Sequence, residues 1–143
     1  MKLSSLLLGI LSAVAVIAIL LSVLGVKFHS TTSLQGAALY SPANEVTATG
    51  IVTEVQEFDC PVSEGELGDH LMLKTANGVL LIHLAPARVM HSQNLVFSPG
   101  DQLKVVGARV RLLGENGLIA QEITRGNESY TFRDHEGKLL TAQ

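Results

Sequence analysis

The chain has 143 residues, a net charge of −3 and one cysteine, Cys60. That length holds one domain and a tether, and a lone cysteine excludes both an internal disulfide and a Cys-x-x-Cys site. With no Trp, four Phe, two Tyr and an acidic balance, the chain lacks the basic stripe and stacking aromatics of a nucleic-acid binder.

From Leu6 to Val26 there is neither a charge nor a proline. At about 1.5 Å per residue a helix of that length crosses a hydrocarbon core of about 30 Å. The apolar region of a cleaved signal peptide is shorter, about 7–15 residues. Residues 1–27 are therefore expected to form an uncleaved transmembrane signal anchor. A short N-terminus stays in the cytoplasm, which puts the rest of the chain outside the cytoplasmic membrane. Residues 28–44 carry Ser, Thr, Gly and Pro with no sustained period and read as a linker.

Residues 45–135 read as a chain of strands. Glu45–Phe58 is rich in β-branched residues and carries Gly50 near its middle. An interior glycine in a strand marks a bulge or bend. Val46 and Ala48 share one parity before it and Ile51 and Val55 the other after it, as a bulge at Gly50 would require. A long acidic loop, Asp59–Asp69, follows. His70–Thr75 and Val79–Leu84 flank Ala76-Asn77-Gly78, a strong hairpin signal. Pro86 opens a short helix over Ala87–Asn94. Ser98-Pro-Gly-Asp101 turns into a strand over Gln102–Arg111. Glu115-Asn-Gly117 reads as the next turn, Leu118–Thr124 as a strand, Gly126-Asn127 as another turn and Glu128–Arg133 as a sixth strand. Residues 136–143 are expected to fray.

Strand, loop, hairpin, short helix and a second hairpin is an order that resembles the OB-fold. The resemblance covers Glu45 to Arg133. It is carried by Thr49-Gly50-Ile51-Val52, by the helix after Leu84, and by Pro99-Gly-Asp101 before Leu103-Lys-Val-Val-Gly107. The fold class it implies is a small, mainly β, OB-like antiparallel barrel with one short helix behind a transmembrane helix. In layout the chain is similar to small bacterial membrane-anchored or exported OB-fold proteins. It shares anchor and barrel with the haem chaperone of cytochrome c maturation but lacks that family's His-x-x-x-Tyr pattern, since Gly126 stands four residues before Tyr130. No cofactor is expected.

Three groups of residues carry chemistry. Glu54, Glu57, Asp59, Glu64, Glu66 and Asp69 form an acidic stretch; carboxylates at this density suit a hard cation, though a solvated loop needs no ligand. Asp59, Cys60, His70 and His83 offer ligand types for Zn²⁺ or copper, against the plainer reading of a small buried thiol and two surface histidines. Arg109 and Arg111 share parity, and with Arg125 and Arg133 they suggest a basic face for carboxylate or phosphate groups. No nucleophile elbow, phosphate loop or paired-histidine helix motif is present.

Alternation turns His70 and His83 away from the core positions Leu71, Leu73, Leu80, Ile82 and Leu84. OB domains bind on the face of strands two and three. His70, Met72, Lys74, Leu81 and His83 are therefore expected to form an outward binding face for a protein or peptide, with Arg109, Arg111 and Arg125 as the alternative. The function read from these features is a non-enzymatic, membrane-tethered binding module with a protein partner in the cell envelope and no nucleic-acid partner. The alternative is a metal-binding or redox-linked envelope factor using Cys60 with nearby His and Asp. On the anchor, carbonate washing should leave the chain in the membrane with its N-terminus intact. A mature protein starting near Gly36–Leu39 in the soluble extract would contradict it.

Overall fold

The computed structural model describes residues 39–63 and 65–140. The expected anchor, most of the linker and residues 141–143 lie outside the described residues. Among those described, no helix is long and apolar enough to cross a membrane.

Six strands are present: β1 (Glu45–Asp59), β2 (Leu67–Thr75), β3 (Gly78–Pro86), β4 (Gln102–Leu112), β5 (Glu115–Arg125) and β6 (Glu128–Thr131). A six-residue helix, α1 (Ala87–Ser92), joins β3 to β4. The sheet runs β3-β2-β1-β4-β5-β6 with antiparallel neighbours. A short parallel pairing of β3 with β5, Leu81–His83 against Gly117–Ile119, closes the first five strands into a barrel. Closure in the order 1-2-3-5-4 with a helix between the third and fourth strands is the OB topology, and β6 is an addition at the edge.

The barrel core contains Val52, Leu71, Leu73, Ile82, Leu84, Leu103, Val105, Leu118, Ile123 and Phe132. Leu71, Leu73, Ile82 and Leu84 occupy it as alternation required, and Leu80 packs half-buried at its margin.

Several expectations need correction. The inward parity of β1 does not switch at Gly50. Val46, Ala48 and the buried Val52 keep one parity, while Ile51 and Val55 are exposed. The register shift lies between Val52 and Glu54. Gly50 is instead where β1 pairs with both β2 and β4, and a Cβ there would stand 2.4 Å from the Lys74 carbonyl oxygen. The second hairpin turns at Leu113-Gly114, both at positive φ, so Glu115-Asn-Gly117 lies within β5. Gly117 serves barrel closure: its Cα faces the Leu81 carbonyl so closely that a Cβ would sit 2.4 Å from the oxygen. The tail is held to the barrel through Leu140. Arg133 bridges to Leu139, and the Leu140 N–H donates to Phe132 O at 2.8 Å.

Gly50→Val should destabilise the chain by roughly 1–3 kcal/mol because the clash is with backbone. Gly126→Val meets open space and strains only a φ of +60°, so its cost should be smaller, about 1 kcal/mol. Thermal melts of both variants check the order; an undisturbed Gly50→Val would contradict the close approach.

Candidate metal centre

The hairpin at Ala76-Asn77 sets the register of β2 against β3 and places His70 directly opposite His83. Thr75 Oγ1 donates to Gly78 O at 2.8 Å and accepts from the Asn77 N–H at 3.1 Å, holding the turn. The two imidazoles lie on the face of the hairpin away from the barrel core, as alternation puts them. They are nevertheless fully buried, at 0% exposure each.

The reason is a second apolar layer over that face: Tyr40, Cys60, Val62, Leu81, Ala108, Leu112 and Ile119, flanked by Phe58, Met72 and Val110. The connection from β1 to β2 builds part of it. After Asp59 the chain turns through Pro61–Ser63, where Val62 and Ser63 are buried, and carries Cys60 over the hairpin. Phe58 stacks on the His70 ring with centroids 3.8 Å apart and planes 10° from parallel. The register of β2 on β3 shifts between Gly68 and His70, and both Asp69 and His70 are buried across that irregularity. Gly68 leaves room for the group, since a Cβ would stand 2.3 Å from Ser63 Oγ and 2.8 Å from His83 Cε1.

Three potential ligand atoms converge. Cys60 Sγ lies 3.1 Å from His70 Nε2 and 3.5 Å from His83 Nδ1, and the two nitrogens are 3.0 Å apart. An ion equidistant from all three would sit about 1.9 Å from each, close to the roughly 2.0–2.3 Å of nitrogen and thiolate bonds to zinc. A small opening of the triangle admits a transition metal. His70 Nδ1 lies 2.8 Å from Gly68 O. A carbonyl only accepts, so Nδ1 carries the proton and Nε2 turns its lone pair into the triangle. A metal-binding imidazole is oriented in this way by a backbone carbonyl. Ser63 Oγ is 3.2 Å from the sulfur. The outer nitrogen of His83, Nε2, is buried without a hydrogen-bond partner, as is the Tyr40 hydroxyl.

Burial keeps both imidazoles neutral. The His70 pKa falls to about 4 by desolvation, against a partial opposing effect of the Gly68 carbonyl. That of His83 is pushed well below its ordinary value, first by desolvation and then by Arg133 and His70. Arg133 is itself buried, with Nη1 donating to Ala120 O at 2.7 Å and to Leu84 O. Desolvation lowers its pKa to about 10, partly opposed by Tyr40 and Cys60.

The residues singled out in the sequence are distributed as follows. Cys60, His70 and His83 come together, and among the described residues they form a group of metal-ligand side chains with all ligand atoms within 4.8 Å. Asp59 is exposed and stands outside it. The expected open face of His70, Met72, Lys74, Leu81 and His83 is not formed, because the overlying layer buries both histidines and Leu81 and half-buries Met72; Lys74 remains exposed. Nor do the arginines share a face. Arg109 and Arg111 are exposed towards the end of β4, whereas Arg125 lies just beyond the Lys104–Thr124 pair, about 17 Å away along the strands. There it bonds Asp101 at 3.2 Å and Val96 O at 2.8 Å, and Arg133 is interior. Of the acidic residues, Glu64 lies outside the described residues; Glu66 pairs with Arg88 at 2.7 Å and Glu57 with His91 at 3.1 Å, and Asp69, opposite Glu57 on the paired strand, is buried, with burial and then Glu57 raising its pKa. Tyr40, Phe58, Ser63 and Gly68 were not legible as site residues, since none carries a ligand pattern.

The described family model that matches residues 44–130 is that of the MamS/MamX magnetosome protein family. No curated protein matches the chain. Several solved structures are similar in fold, among them the following three. The Stn1-ten1 complex of S. pombe aligns with 18% identity and a TM-score of 0.45, covering 59% of this chain and 59% of that one. The ZRD-deleted mutant of TiaS in complex with agmatine gives 14% and 0.43 over 61% of this chain and 25% of that one. The dimeric N-terminal domain of PriB from Thermoanaerobacter tencongensis gives 22% and 0.43 over 60% and 99%.

The buried imidazoles make the metal-free fold acid-sensitive. A histidine whose folded pKa lies below its unfolded value contributes stability above about pH 6.5, and that stability is lost as pH falls towards the folded value of about 4. The shift at His70 corresponds to about 3 kcal/mol at most. Melting temperatures of the metal-free chain should be level near neutral pH and drop between pH 6.5 and 4; a flat profile would contradict neutral burial.

Proposed function

The chain belongs to the MamS/MamX magnetosome protein family, and from that premise we propose that it is a membrane-tethered metal-binding protein of the magnetosome system. Its extracytoplasmic barrel holds one transition-metal ion between Cys60 Sγ, His70 Nε2 and His83 Nδ1. The observation that carries this reading is the convergence of three ligand atoms within 3.0–3.5 Å of one another in a buried layer. Buried polar groups need partners. A metal would take the sulfur and both inward nitrogens as ligands at once.

The protein holds the ion rather than turning over a substrate on it. Each ligand is buried, and Phe58, Leu81 and Ile119 belong to or flank the layer around them. A metal site that activates water keeps an open position, and this packing favours a closed one. Binding tethered to a membrane is therefore the activity supported best, with the anchor supplying location and the barrel the ligands. The barrel contributes rigidity: both histidines sit on paired strands, and only Cys60 comes from a connection.

The test is metal content. The chain, purified in detergent, stripped and reloaded, should retain one ion per molecule. Cys60→Ser and His83→Gln should each lose it while keeping a cooperative melt. Equal retention by the parent and both variants would place the metal elsewhere, and no retention by the parent would leave the trio as a purely structural cluster.

A further inference from the structure

We infer that the ion held by Cys60, His70 and His83 is monovalent copper. This rests on the metal-binding reading above and adds the oxidation state and identity of the ion. The first ground is coordination number. The three donors form a near-equilateral triangle with edges of 3.0, 3.1 and 3.5 Å. No further His, Cys, Asp or Glu among the described residues joins them, and Asp59, next to Cys60, is exposed. Structural zinc takes four protein ligands in a tetrahedron. Monovalent copper, a d¹⁰ ion without a fourth-ligand requirement, is content with three in a plane.

The second ground is ligand chemistry. A thiolate with two neutral imidazoles is a soft to borderline set, of the kind that selects Cu(I) over hard cations. Carboxylate oxygen, which would favour iron or manganese, is absent from the trio. The Asp69 carboxylate is on the neighbouring residue of β2 but lines a different cavity, with Glu57 and His91.

The third ground is charge. Arg133 is interior, anchored on the carbonyls of Leu84 and Ala120. Leu84 follows His83 in the chain, and Ala120 follows Ile119, the residue paired with His83 across the barrel closure. A guanidinium is thus fixed one residue from the site on both strands. Thiolate and Cu⁺ sum to zero beside it, whereas thiolate and a divalent ion add a second buried positive charge. Buried like charges without counter-ions are costly, so the site discriminates against divalent ions by charge as well as by geometry.

The experiment is a competition under anaerobic conditions on the full chain in detergent. Cu(I) is supplied as its bicinchoninate complex, whose colour reports copper withdrawal, with Zn²⁺ and Fe²⁺ present in equal amounts. The chain should remove one copper from the chelator, retain it against both divalent ions and show the X-ray absorption edge of three-coordinate Cu(I). Cys60→Ser and His83→Gln should each weaken copper retention by about 100-fold or more. Preferential retention of Zn²⁺ or Fe²⁺ at the same three residues would overturn the copper assignment while leaving metal binding standing. Retention of none of the three ions would overturn both. Copper held equally by the parent and Cys60→Ser would show adventitious binding and likewise overturn the assignment.

Discussion

Two neutral imidazoles face each other across the β2–β3 hairpin with a thiol over them, and all three are closed off from water. A buried imidazole must stay uncharged, and each of its nitrogens needs a partner, which all but the outer Nε2 of His83 find here. The surrounding structure is arranged around that demand. The Gly68 carbonyl takes the outer proton of His70, Phe58 lies flat on its ring, and Gly68 has no side chain because one would enter the cluster. The segment before β1 contributes Tyr40 to the cover, and the C-terminal segment contributes Arg133 beneath it. Removing the cover would expose a second apolar layer as well as the ligands.

The barrel and the site divide the labour. Closure of β3 on β5 brings Ile119 opposite His83 and lets Ala120 and Leu84 both present carbonyls to Arg133. The same strands bury Ile82, Leu84, Leu118 and Ala120 on the core side. One sheet therefore carries an apolar core on one face and a polar, ligand-bearing cluster within a thinner apolar layer on the other. Such a cluster is worth little as a source of stability, because desolvation of its members offsets what their mutual contacts return.

OB barrels commonly bind on the outer face of their second and third strands. Here that region is occupied by the chain itself. The β1–β2 connection, which in other barrels rims an open surface, crosses it and delivers Cys60. The outward surface that remains holds Lys74 and exposed apolar residues such as Val79 and Ile51.

Much of this was determined by the sequence alone. Strand order, the helix after Pro86 and the Asn77-Gly78 hairpin follow from local turn chemistry and period-two patterning. Alternation sets His70 and His83 on the face opposite Leu71, Ile82 and Leu84, while their direct pairing follows from the two-residue Ala76-Asn77 turn, with Gly78 opposite Thr75, that the folded hairpin adopts. Tertiary structure decided what lies over that face. The path of Cys60–Ser63, the position of Tyr40 and the return of Arg133 have no period and no motif, because they are fixed by long-range packing rather than by neighbours in the chain. For the same reason the β1 irregularity falls at Thr53 rather than Gly50: a bulge is placed by the strands on either side of it. A histidine that alternates away from the core is exposed only if nothing covers it, and only the folded chain supplies the cover that turns two apparent surface residues into buried members of a cluster that could hold a metal.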